Sequence, residues 1–105
     1  MTPDGQRVKI VITNKINTLQ SIMDEEHMNV LNGNVSYKSW RRTNARLLNQ
    51  YRRFVRSANR LKNSEPKFTV EIEEFLNFCK TEKYLAKSRV DVVRKIMGKR
   101  IEHKE

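Results

Sequence analysis

Tyr37–Lys67 reads YKSWRRTNARLLNQYRRFVRSANRLKNSEPK, and the spacing within it decides the fold. At 100° per residue, Tyr37, Trp40, Leu47, Leu48, Tyr51, Phe54, Val55, Ala58 and Leu61 share one side of a helix. Lys38, Arg42, Arg46, Arg53, Arg56 and Arg60 form a narrow stripe opposite, with Arg41 and Arg52 on its flank. Ser36 stands as the N-cap, and Asn63–Pro66 (NSEP) ends the helix after about Lys62.

The same stretch holds ten of the chain's 22 Lys and Arg residues and one acid, Glu65. Its net charge is +9, against +10 for all 105 residues. Elsewhere the charges nearly cancel: Met1–Ser36 carries −1, Phe68–Phe78 −3 and Cys79–Glu105 +5. A solvated helix face ordinarily mixes signs, yet no acid lies between Tyr37 and Ser64. Like charges four apart (Lys38/Arg42, Arg42/Arg46, Arg52/Arg56, Arg56/Arg60) each destabilise an isolated helix by a few tenths of a kcal/mol. Phosphates or an acidic partner would relieve that repulsion. Seven of the ten cations are arginines, whose planar fork suits phosphates and guanine edges.

Upstream, Thr2 reads as an N-cap with Pro3 at the first helical position. Val8, Val11/Ile12, Ile16, Leu19 and Ile22/Met23 follow at three- and four-residue steps. Val8–Thr13 is β-branched and has strand character, but the helical period runs unbroken to Met23. Asn29–Asn34 (NVLNGN) reads as a turn. Downstream, Thr69 is placed to cap a third helix with Glu71, Glu73 and Glu74 in its first turns and Ile72, Phe75, Leu76 and Cys79 on its buried face. Ser88 with Asp91 resembles a capping box opening a fourth helix, striped by Val90, Val93, Ile96/Met97 and Ile101. The expected fold is therefore all-α: one domain over residues 1–105, a compact bundle of about four helices near 3–26, 37–62, 70–82 and 89–102.

A chain of this length carries one core. Apolar residues at 37% and charged residues at 32% are too apolar together for a disordered chain. No run of 18 apolar residues exists, so no membrane span is expected. The N-terminus lacks the pattern of a secretory signal, and Asp4, Asp24, Glu25 and Glu26 fall where a mitochondrial presequence avoids acids. Cys79 is the only cysteine, which fits a reducing intracellular compartment, cytoplasm or nucleus.

The arginine stripe is the principal candidate site, for nucleic acid. Trp40, Tyr37 and Tyr51 can stack on bases, but they lie on the apolar side, where core packing claims them; Tyr37 is the exception to watch. The helix–turn–helix expected around Thr81–Ser88 offers a second patch, Lys87, Ser88 and Arg89 at a helix N-terminus with Arg94 nearby. Catalysis finds little footing. His27 and His103 are isolated, His27 reading as a surface residue beside Glu26, and Cys79 has no histidine near it. The Glu71, Glu73 and Glu74 group is explained by the helix dipole. No glycine-rich phosphate loop, zinc spacing or nucleophile elbow is present, so neither an enzyme nor a cofactor is expected.

Two families are resembled in part. Glu74–Ile101 resembles the helical core-binding domain of tyrosine recombinases through Phe75, Leu76 and Phe78, then Glu82, Lys83 and Leu85, then Val90 and Val93. Arg89 and Val93 stand where that family has threonine and tyrosine. The resemblance implies a four-helix DNA-clamping module without the catalytic domain. Leu47–Leu61 resembles the first helix of LYR-motif mitochondrial proteins through Tyr51 and Arg52, with Gln50 in place of the motif's leucine. That likeness implies an adaptor receiving acyl-carrier protein, in the mitochondrion. The expectation is a small non-catalytic nucleic-acid-binding protein, DNA before RNA, that lays Lys38, Arg41, Arg42, Arg46, Arg52, Arg53, Arg56 and Arg60 on phosphates. Lys87, Arg89 and Arg94 would hold a neighbouring strand or groove. A structural subunit of a ribonucleoprotein is the further alternative.

Overall fold

The computed structural model describes the backbone of residues 1–104 and the side chains of residues 1–101. Three long helices follow one another: α1 (Pro3–Leu31), α2 (Tyr37–Ser64) and α3 (Thr69–Lys104), with a 3-10 turn at Pro66–Phe68 before the last. No strand occurs among the described residues, so the β-branched run Val8–Thr13 is helical. The chain runs up, down and up.

Each helix buries residues at alternating steps of three and four. In α2 the inward set is Trp40, Asn44, Tyr51, Phe54, Ala58 and Leu61, with Tyr37 and Leu47 half-buried in the same phase. In α1 it is Ile12, Ile16, Leu19, Met23 and Val30; in α3, Ile72, Leu76, Cys79, Ala86, Val90 and Val93. This is the spacing of left-handed bundles, in which facing side chains interdigitate along one seam.

The ends are held by specific contacts. Thr2 caps α1, its Oγ1 accepting from Gly5 N at 3.1 Å, and Pro3 follows at the first turn as expected. Ser36 caps α2 through Ser39 N at 3.1 Å. α1 ends five residues beyond the expected Glu26, in a Schellman turn. Gly33 N donates to Val30 O and Asn34 N to Asn29 O, with Gly33 at a φ of 78° that only glycine adopts freely. Arg100 of α3 donates to Leu31 O at 2.8 Å and so satisfies a carbonyl at that helix end.

Three expectations are corrected. There are three helices, not four, because Thr81–Ser88 is helical throughout. TEKYLAKS contains no glycine or proline and is rich in strong helix formers, so nothing breaks the backbone there. Thr69 is not an N-cap: it has helical dihedrals and its hydroxyl donates to Pro66 O at 2.6 Å. The molecule is a rod of 59 × 18 × 15 Å. Its radius of gyration is 16.8 Å, against ~13 Å for a globular chain of about 100 residues. Unbroken helices run its length where a compact bundle would fold back.

Candidate nucleic-acid interface

The core register of α2 fixes its outer face. With Trp40 and Tyr51 each 1% exposed, the helix cannot rotate. Lys38, Arg42, Arg46, Arg56 and Arg60 must then lie on the outer side of α2, with Arg53 in the same arc of about 80° but reaching the α1 groove. All six are exposed, as are Arg41 and Arg52. From Lys38 to Arg60 the stripe spans about 33 Å at 1.5 Å per residue, close to one turn of a nucleic-acid duplex. Arg53, Arg56, Ser57 and Arg60 line a shallow hollow.

Among the described residues no carboxylate pairs with any of these arginines. The side-chain ion pairs join Lys9 to Glu71 at 3.8 Å and Lys62 to Glu73 at 2.9 Å, and the Met1 amino group lies 3.5 Å from Glu71, all at one end of the rod. Glu71 also accepts from Gln6 Nε2 at 3.2 Å. Two acids read as dipole partners of the third helix thus tie the bundle together as well. Glu65, the single acid of the basic stretch, is spent in the same region. Its carboxylate accepts from Thr2 N at 3.2 Å and from Thr2 Oγ1, and it lies over Gly5 where a Cβ would collide with it. Glu65 therefore latches the start of α1 and leaves the stripe uncompensated.

The flanks face the neighbouring helices. Arg53 shares a groove with Lys15, Asn14 and Thr18 of α1, so Lys15 adds a cation that sequence alone did not single out. Arg41 lies over the Tyr37 ring at 5.7 Å, and Tyr37 stacks on Trp40 at 5.8 Å. Trp40 and Tyr51 are core residues, as expected; Tyr37 is half-buried, with a cation against it.

The second patch is not a helix N-terminus. Ser88–Asp91 lies inside α3, where backbone N–H groups are already bonded, so no phosphate seat and no capping box form. Lys87, Arg89 and Arg94 are exposed but divided. Arg89 borders the α1–α3 groove with His27, Leu85 and Ser88, whereas Arg94 borders the α2–α3 groove with Arg41 and Asn44.

His27 is a core residue, contrary to the surface position expected of it. It is 7% exposed, and its Nδ1 accepts the indole N–H of Trp40 at 3.2 Å. The side chain of His103 lies outside the described residues. Burial pushes the Cys79 thiol up to about 11, so it is not a thiolate at neutral pH. Among the described residues no three His, Cys, Asp or Glu side chains cluster to hold a metal. No described helix is long and apolar enough to cross a membrane. The recombinase-like segment forms one helix where that family implies a turn, and the LYR-like segment lies mid-α2 with Tyr51 inward and Arg52 outward.

Comparisons with protein-family models, with curated proteins and with solved structures found no match.

Proposed function

We propose that this chain is a non-catalytic nucleic-acid-binding protein that docks the outer face of α2 on the phosphate backbone. The observation carrying the reading is the exposed run Lys38, Arg41, Arg42, Arg46, Arg52, Arg53, Arg56 and Arg60, to which no described carboxylate is paired. Nothing in the fold needs that many like charges on one face, and their mutual repulsion opposes folding. Phosphates turn the same charges into an attraction, with counterion release as the driving force. Lys15 and Arg94 extend the positive surface into the two flanking grooves. Contacts of this kind position a protein without reading sequence.

Titrating the protein with a generic duplex from about 50 to 200 mM salt tests the reading. Six phosphate contacts give a slope of about −5 in log K against log salt. Replacing Arg53, Arg56 and Arg60 together with glutamine should remove roughly three units of that slope. Absent or salt-insensitive binding by the unaltered protein would sink the proposal, and an unchanged slope in the triple variant would move the site off α2. An acidic carrier protein is the competing partner. Tyr51 is committed to the core, so Arg52 alone of the LYR-like pair is available to it.

A further inference from the structure

α3 carries a second seam that the bundle does not use. Phe78, Leu85 and Val92 recur every seven residues, and Glu82, Arg89 and Ile96 recur every seven between them. Together they make the alternating three- and four-residue steps by which one helix packs along another. On the wheel of α3 this seam lies about 100° from the inward set. Glu71 and Arg100, which bond to α1, share its side of the helix, whereas Arg94, which borders α2, lies nearly opposite. α1 nevertheless leaves the seam open. Leu85, Val92 and Ile96 are 39%, 57% and 37% exposed, with Phe78 and Glu82 half-buried. A hollow of about 340 Å³ beside Leu85, Arg89 and Val92 marks the unfilled stretch.

We infer that this seam joins the chain to a second copy of itself through an antiparallel pair of α3 helices, independently of the nucleic-acid reading above. Charge selects both the partner and the direction. Glu82 and Arg89 hold the two charged positions of the seam, and no described residue pairs with either. A parallel copy would set like charge against like at both positions. An antiparallel copy, with the two-fold axis near Lys87, sets Phe78 against Ile96 of the partner subunit. It also brings Glu82 within about 4.5 Å, measured along the axis, of Arg89 of the partner subunit. Two-fold symmetry makes that contact twice. Charged residues at such positions fix register and orientation at some cost in stability. From Phe78 to Ile96 the seam runs about 27 Å, which puts the contact at the small end of specific interfaces and its Kd in the micromolar range. Because the seam faces away from α2, the pair leaves both arginine stripes outward and their charges far apart.

Sedimentation velocity of the nuclease-treated full chain, from about 5 to 200 µM, tests the pairing. The mass should rise with concentration from 12.5 kDa toward twice that value. Val92→Glu, at an exposed position, should weaken self-association about tenfold or more, and an unchanged thermal midpoint of the dilute variant checks its fold. Glu82→Arg and Arg89→Glu should each stay monomeric over the same range. Mixed in equal amounts they should form the dimer again, because each supplies the charge that the other lacks. A mass of one chain at every concentration overturns the proposal, as does a dimer that survives Val92→Glu. Single charge variants that dimerise like the natural protein, or a mixture that stays monomeric, overturn the antiparallel pairing. Duplex binding by dilute Val92→Glu should match that of the natural protein, so loss of the dimer and failure of the function proposed above read out separately.

Discussion

Nδ1 of His27 accepts the Trp40 indole N–H, which leaves the ring proton on Nε2 and the imidazole neutral. Nε2 is itself buried without a partner, so no group is in place to receive a second charge. Burial lowers the His27 pKa from its ordinary 6.5; Asp24 opposes that shift and Arg89 adds to it. As pH falls, the unfolded chain takes up this proton before the folded one does. Stability from His27 is therefore complete above about pH 6.5 and declines as pH drops from there through the lowered folded value. Urea midpoints measured down through that window should fall for the natural protein and stay level for His27→Gln. Parallel curves for the two would assign the slope to other groups. The residue's burial was legible in principle. Met23, His27 and Val30 continue the three-four steps of α1, but the acidic run Asp24–Glu26 just before it made His27 look like a surface residue.

α3 shows how an element can be read correctly in its faces and wrongly in its extent. Ile72, Phe75, Leu76 and Cys79 are buried as their spacing requires, and so are Val90 and Val93. Of the Ile96/Met97 pair, Met97 packs against the core, while Ile96 falls outside the inward arc and is exposed, as is Ile101 near the end of α3. The missed point was continuity. A serine three residues before an acid is a cap only if the backbone departs from helix in front of it, and no residue near Ser88 enforces that. Removing the hydroxyl decides the matter. Ser88→Ala should leave stability within about 0.5 kcal/mol or raise it slightly, since alanine is the better helix interior residue. Loss of a true N-cap would lower it by ~1 kcal/mol, measured by chemical denaturation. At the α1 and α2 starts the caps were read correctly. Thr2 and Ser36 are each followed by a helix whose first buried residues fix where it must begin.

At the scale of the molecule, stability and binding respond to salt with opposite signs. Most of the +10 charge is concentrated on one face of a rod only 15–18 Å across. Screening reduces that self-repulsion, the Debye length shrinking to ~3 Å at 1 M salt. The thermal midpoint of the free protein should therefore rise with sodium chloride while duplex affinity falls. A midpoint that drops with salt would mean that the attractive pairs around Glu71 and Glu73 outweigh the stripe. The sequence by itself determined the helical class, the two caps, the inward face of α2 and hence the outward arginines, because a period of 3.6 residues leaves a helix with a large apolar side only one way to bury it. Tertiary structure alone decided that Glu65 closes on Thr2 instead of balancing the stripe, that Arg89 and Arg94 border different grooves, and that Arg41, Asn44 and Arg94 meet at one cleft. These are contacts between residues up to 63 positions apart. Local periodicity sets which way a side chain leaves its own helix; what it meets depends on how three helices align along the rod.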